Sequence, residues 1–424
     1  MEKLCIIADD LTGATDTGVQ FSKFGISTAV VFNYLTIKDL TFDFDIVSIN
    51  AGTRNINREV AYSRVKDIVR TLRDMNFKLY YKKIDSTLRG QPDVEIEAMM
   101  DEMGYEMAFI VPSFPANGRK VEKGYLYIDK NLKEEQSNFQ SIGFVPDIFK
   151  NKTTKMVSLI EIDEVRKGSC NIKQKIEEMR NLKKQIFVID AVTNDDLMNI
   201  AFAVKDYAYK SVIAGSAGLA ACIPLTWEMV KENHQYPRGK PILFLAGTRN
   251  MVTAEQIKTL TAFSSVKVVE MNSEKIIKGK NEEEINRVID ETRKALNEGK
   301  ITVIAIDSLL KSQVETYSQE IPSEKAQKIA KSFGIIAKAI VTDNMIYTMI
   351  VTGGDIAINV FDALGAKGII LENEVLPGIP AGRLIGGGFE GLHVVTKAGG
   401  FGDKNSFIDI VNYLKSATEG EKLK

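Results

Sequence analysis

Two loops in the N-terminal half concentrate groups that bind ligands or move protons. The first, Asp9-Asp10-Leu11-Thr12-Gly13, follows the apolar run Leu4–Ala8 and precedes a run with helical period. Aspartate is a good helix cap, but two adjacent carboxylates with a threonine and a turn glycine exceed what a cap requires. Such a pair can orient a polyol and accept a proton. The second loop, Tyr80-Tyr81-Lys82-Lys83-Ile84-Asp85-Ser86-Thr87-Leu88-Arg89-Gly90, packs cations, a carboxylate and hydroxyls into one strand end. That composition suits a small ligand carrying a carboxylate and several hydroxyls. Arg54 in INAGTRN and Arg119 in VPSFPANGR could add cations from neighbouring loops. Each alone reads as a surface arginine; several from successive loops of one sheet shift the reading toward a site.

The C-terminal half holds glycine-rich candidates of another kind. In VTGGDIAINV a strand leads through Gly353-Gly354-Asp355 into a helix carrying Ile356, Val360 and Leu364. Paired glycines at a helix N-terminus let backbone N–H groups approach a phosphate, which the helix dipole also favours. The plain alternative is a tight turn with Asp355 as cap. LFLAGTRNMVTAEQI repeats the strand–glycine–helix arrangement with Gly247 and Thr248, and VVTKAGGFGDKNSF gathers Lys397, Gly399, Gly400 and Gly402 after a strand. No Walker-type phosphate loop is present. Gly386-Gly387-Gly388-Phe389-Glu390-Gly391 matches the dinucleotide fingerprint by letter, but the strand-like run Leu392–Thr396 follows where a helix is required, so the match is accidental.

These loops need elements to hold them. Leu4–Ala8, Thr28–Phe32, Asp45–Ala51, Leu79–Ile84 and Met107–Val111 read as strands, and Ala14–Phe24 and Glu59–Met75 as helices, the latter with Ala61, Val65, Ile68 and Leu72 at 3/4 spacing. A second series begins at Pro241–Ala246, with a helix near Glu284–Asn297, a strand Ile301–Ile306, a helix near Glu324–Ile340 and a strand Ile346–Val351. The polar stretch Lys231–Pro241 between them reads as a linker. The expectation is an α/β protein of two domains, 1–233 and 238–424, each a largely parallel sheet flanked by helices.

Composition sets limits on partners. Among 424 residues, Lys+Arg 55 balance Asp+Glu 56 for a net charge of −1. No global basic field exists to hold nucleic acid or an anionic membrane, and no apolar run reaches the roughly 20 residues of a membrane span. Two histidines and three unpaired-looking cysteines give zinc sites and histidine triads little material, so no metal-ligating set is assigned. The cysteines fit a reduced, cytoplasmic protein. A homo-oligomer is compatible with all of this.

IADDLTGATD, YKKIDSTLRG, VPSFPANGR, FVPDIF, GSAGLA, AGTRN with Gln256, VTGGD, LPGIPAG and VVTKAGGFG, in this order over nearly the whole chain, resemble the four-carbon acid sugar kinases. That resemblance implies an N-terminal domain binding a sugar acid such as threonate, erythronate or 3-oxo-tetronate, and a C-terminal domain binding ATP. By motif, Asp10, Arg54 and Lys83-Ile84-Asp85-Ser86 would contact the acid. Thr248, Gly353, Gly354, Asp355, Ile356, Gly399 and Gly400 would hold ATP, with Mg²⁺ bridging its phosphates.

Phosphoryl transfer asks for positioning, charge neutralisation and a base for the attacking hydroxyl. Lys83, Arg54 and Arg89 are expected on the substrate carboxylate, with Asp10 as base and Asp85 second. Asp403, in Gly400-Phe401-Gly402-Asp403, is a competing base whose plainer role is helix capping. The family usually has threonine where Ile356 stands, which keeps a non-catalytic nucleotide- or sugar-acid-binding regulator as the alternative.

Overall fold

The computed structural model describes residues 3–39, 44–75, 77–129, 138–150, 153–231, 241–263, 265–278, 281–310, 323–343 and 346–415. The chain divides into two compact units, Met1–Asn233 and His234–Lys424. Of the linker expected at Lys231–Pro241, residues 232–240 lie outside the described residues.

The first unit contains β1 (Leu4–Ala8), β2 (Thr28–Val31), β3 (Ile46–Asn50), β4 (Leu79–Lys83), β5 (Met107–Val111), β6 (Arg119–Glu122), β7 (Tyr125–Asp129), β8 (Phe139–Phe144), β9 (Val157–Ile160), β10 (Ile186–Ile189) and β11 (Ser211–Gly215). A parallel sheet runs in the order β2-β3-β1-β4-β11-β5-β10-β9. Both faces are covered: Leu4 and Ile6 join one buried cluster, Cys5 and Ile7 the other. This is why these strands read as continuous apolar runs rather than alternating ones. Burying each Leu or Ile contributes about 1.5–3 kcal/mol. From β1 the chain builds to one side through β2 and β3, then crosses to β4 on the other. Ligands bind at such a reversal, beyond the carboxyl ends of the strands.

The helix Leu11–Ser22 begins before the expected Ala14 because Asp10 caps it, accepting from Gly13 N at 2.7 Å. Arg58–Asp74 starts after Asn57, whose side chain accepts from Glu59 N at 2.8 Å. A feature the apolar periodicity does not reveal is the antiparallel three-stranded sheet β6-β7-β8. Its buried Val121 and Leu126 pack into the main core, and Val121 also bridges to Ala191.

The second unit contains β12 (Ile242–Ala246), β13 (Val266–Met271), β14 (Ile301–Ile306), β15 (Thr348–Thr352), β16 (Gly368–Leu376), β17 (Ile379–Ile385) and β18 (His393–Lys397), in the order β13-β14-β12-β15-β18-β17-β16. The strands from β13 to β18 in that order are parallel; β17 and β16 are antiparallel additions. Pro377-Gly378 turns the β16–β17 hairpin, with Gly378 at φ +74°, a conformation glycine tolerates without penalty. Here the reversal falls between β12 and β15.

Candidate active site

In the first unit the ends of β1, β3 and β4 bring three acidic and basic loops together. Arg54 is the hub. Its Nε and Nη2 fork onto Asp9 at 2.7 and 3.0 Å, Nη1 bonds Asp10, and Nη2 lies 3.5 Å from Asp85 Oδ2. Arg89 forks onto Asp85 at 3.1 and 2.7 Å, and Thr87 donates to Asp85 through its N–H at 3.0 Å and its hydroxyl at 2.5 Å. Leu88, at φ +61°, tightens this loop and donates to Asp85 O at 2.9 Å. The close approach of the loops is also visible at Gly90, where a Cβ would stand 3.4 Å from Asp9 Oδ2 and from Arg54 Cα.

The two lysines of β4 part company because successive strand side chains face opposite ways. Lys82 is wholly buried, paired with Glu95 at 2.5 Å and donating to Ile7 O and Lys83 O at 3.2 and 2.9 Å. Lys83 faces the Asp10 loop, its Nζ close enough that a Cβ on Gly13 would sit 3.1 Å away. Among the described residues no carboxylate lies within 4.0 Å of Lys83 Nζ, whereas Arg54 and Arg89 are already paired.

The carboxylates differ in basicity. Burial and the neighbouring Asp9 charge push Asp10 above its ordinary value, against the opposing pull of Arg54, Lys83 and Gly13 N–H. Asp85 is also buried, but the hydrogen bonds from Arg89 and Thr87 outweigh that and hold it well below the ordinary carboxylate range. Arg119, at the start of β6, lies within the fields of Asp85 and Arg89; burial lowers its pKa, and its buried Nε has no hydrogen-bond partner among the described residues.

In the second unit the loops after β12, β15 and β18 lie side by side. A Cβ on Gly399 would stand 2.4 Å from Thr248 Oγ1, one on Gly400 3.2 Å from Asn250 Nδ2, and one on Gly353 3.7 Å from Thr248 Cβ. Gly353, at φ +101°, precedes the helix Gly354–Leu364, which has no side-chain cap among the described residues, so its first N–H groups are left for a ligand. Asp355 is exposed in that first turn. The N–H groups of Gly399 and Gly400 donate to nothing among the described residues. Asp403 is exposed and bonded into its own turn, accepting from Asn405 N at 2.9 Å while its N–H donates to Ser406 Oγ at 2.7 Å.

Asp10, Arg54, Lys83, Asp85, Ser86 and Arg89 thus belong to one cluster of strand-end loops, and Thr248, Gly353, Gly354, Asp355, Gly399 and Gly400 to another. Two of the expected contact residues have buried side chains. Ile84 is 1% exposed and its N–H donates to Gly215 O at 3.0 Å, so its side chain and N–H secure the strand end. The Ile356 side chain is buried against Gly247, leaving only its first-turn N–H to offer. Asp9 is the residue that loop composition underrated: adjacency to Asp10 concealed that the two have separate duties. Arg64 is a second, its Nη1 securing Ala51 O at 3.0 Å and Gly52 O at 2.9 Å in the loop that carries Arg54.

Comparison with known proteins divides the chain in the same way. Residues 4–223 match the model of a sugar-binding N-terminal domain, and residues 243–407 that of a nucleotide-binding C-terminal domain. The chain is 31% identical over 448 residues to a D-erythronate kinase of Heliobacterium modesticaldum, covering 99% of both chains. It is 28% identical to a D-threonate kinase of Salmonella typhimurium (99% of this chain, 100% of the relative). With a 3-oxo-tetronate kinase of Pseudomonas savastanoi it shares 23%, over 97% of each. A solved structure from Salmonella typhimurium LT2 has the same fold, with a TM-score of 0.79 at 19% identity, covering 97% of this chain and 99% of that one. Among the described residues no helix is long and apolar enough to cross a membrane.

Proposed function

Because the chain belongs to the four-carbon acid sugar kinase family, we propose that it transfers the γ-phosphoryl group of ATP to a hydroxyl of an erythronate-, threonate- or 3-oxo-tetronate-type acid. The observation that carries the assignment of residues is the contrast at the β1/β3/β4 ends: Arg54 and Arg89 are ion-paired with carboxylates, while among the described residues no carboxylate lies within 4.0 Å of Lys83 Nζ. Lys83 binds the substrate carboxylate, with Arg119 beside Asp85 and Arg89 as a further cation. Arg54 holds Asp9, Asp10 and Asp85 in register, so the carboxylate edges face the hydroxyls of the acid. Asp10 accepts the proton of the attacking hydroxyl, since its raised basicity suits proton transfer. Asp85, held strongly ionised by Arg89 and Thr87, orients a hydroxyl as a hydrogen-bond acceptor instead.

The glycine loops fit a nucleotide: the N–H groups of Gly399, Gly400 and the first turn after Gly353, which have no partner among the described residues, can meet phosphate oxygens, and Thr248 adds a hydroxyl. ATP with Mg²⁺ would supply the phosphoryl group and the neutralising charge, and Asp355, exposed in the first turn after Gly353, is the carboxylate that would meet the ion. The naming of the relatives as kinases favours turnover over a non-catalytic regulator. The strand β18 after Gly386–Gly391 removes the dinucleotide reading. A cytoplasmic setting is supported by three free cysteines, Cys5 and Cys222 of them buried.

The test compares Asp10→Asn with Asp403→Asn, following ADP release with ATP, Mg²⁺ and a panel of four-carbon acids. Asp10→Asn should lower kcat by about 10²–10⁴-fold, the usual worth of a general base, with the melting temperature retained. Asp403→Asn should stay near wild type. The reverse order would transfer the base to Asp403.

A further inference from the structure

A run of glycines is an unpromising scaffold, because glycine has the most backbone freedom to lose on ordering. In Ala398–Asp403 that freedom is removed from behind. Lys397 Nζ donates to Ala398 O at 2.9 Å and Gly399 O at 3.2 Å, and lies 3.4 Å from Thr253 Oγ1. Thr253 Oγ1 in turn donates to Gly399 O at 2.8 Å. Gln256 Nε2 donates to Phe401 O at 3.0 Å and Asp403 O at 2.8 Å. Lys397 is 3% exposed, and Thr253 and Gln256 are fully buried.

Within a trans peptide the C=O and the following N–H point in opposite directions. Drawing Ala398 O inward therefore turns Gly399 N–H outward, and drawing Gly399 O inward does the same for Gly400 N–H. These are the two N–H groups that donate to nothing among the described residues. An ammonium has three donors, and here three neutral oxygens take them. Burial pushes Lys397 down to about 7, as fits a lysine whose partners carry no charge.

We propose that Lys397, Thr253 and Gln256 are positioning residues that rotate two peptide planes so that Gly399 and Gly400 N–H groups converge on a nucleotide phosphate, and that Lys397 itself touches no phosphate. The inference rests on the reading of this unit as the ATP-binding one. It sets Lys397 apart from the P-loop type of lysine, which meets phosphate directly.

Calorimetric titration of the full chain with ADP and with adenosine, beside steady-state kinetics, tests it. Thr253→Val should weaken ADP about tenfold, roughly the worth of one hydrogen bond, and leave adenosine binding and KM for the acid unchanged. Thr253→Ser, which keeps the hydroxyl, should restore ADP affinity. Lys397→Met should lose no more ADP affinity than about tenfold beyond Thr253→Val, and it serves as the readout should Thr253→Val fail to fold. Wild-type ADP affinity in Thr253→Val, or equal losses of ADP and adenosine, overturns the clamp. A loss in Lys397→Met that is hundreds-fold greater identifies a direct phosphate contact and also overturns it. If the wild type binds neither ADP nor ATP, the kinase reading fails first; wild-type binding with no effect of the variants defeats the clamp alone.

Discussion

Lys83 and Arg54 are both cations within one cluster, yet they are set different tasks by their neighbours. Arg54 is bracketed by Asp9, Asp10 and Asp85 and stays charged whatever binds. Lys83 keeps its ammonium for an incoming anion, so Lys83→Met should raise KM for the acid at least about tenfold, the cost of one charge-assisted hydrogen bond, and leave KM for ATP unmoved. Initial-rate measurements with each substrate varied in turn check this. Lys397 offers a second outcome at the same scale. Its folded pKa, about 7, lies below the ordinary lysine value, so between roughly pH 7 and 10 the unfolded chain binds more protons than the native one. Stability should therefore rise with pH across that window, by at most about 1.4 kcal/mol per unit. In Lys397→Met that part of the slope should vanish, as urea midpoints at several pH values will show.

At the scale of elements, β1 was legible as a continuous apolar run and the helix over 58–74 because its apolar residues repeat at helical period, and the two candidate sites were sought where strands end. The division of labour inside the loops was not. Composition places Asp9 and Asp10 side by side but cannot say that one forks onto Arg54 while the other also caps a helix. Burial shows that the side chains of Ile84 and Ile356 belong to the core, so a contact at either position would run through its backbone. The hairpin β16–β17 had its signal in Pro377-Gly378, a turn pair between apolar runs, whereas the small sheet β6-β7-β8 had none of comparable strength. The hairpin carries its own test. A Cβ at Gly382 would stand 2.1 Å from Ile370 O on the paired strand, so Gly382→Ala should destabilise the protein by about 1–3 kcal/mol, the range for forced overpacking, seen as a lowered urea midpoint.

For the whole molecule, the net charge of −1 means that its two anionic substrates are met locally rather than drawn in by a long-range field. KM for the acid should accordingly change less than about threefold between roughly 0.05 and 0.3 M NaCl, where the Debye length shrinks below about 10 Å. A steep salt dependence would point to steering from outside the loops. The buried Lys82–Glu95 pair has a consequence for how this chain can vary over time. It ties the ends of β1 and β4 through Ile7 O and Lys83 O, out of reach of water. Losing either partner alone strands a charge and costs about 3–5 kcal/mol, so neither position is free to drift by single steps. Descendants of this sequence should keep both residues or exchange both, and a mutational library should recover replacements at 82 and 95 only as joint changes.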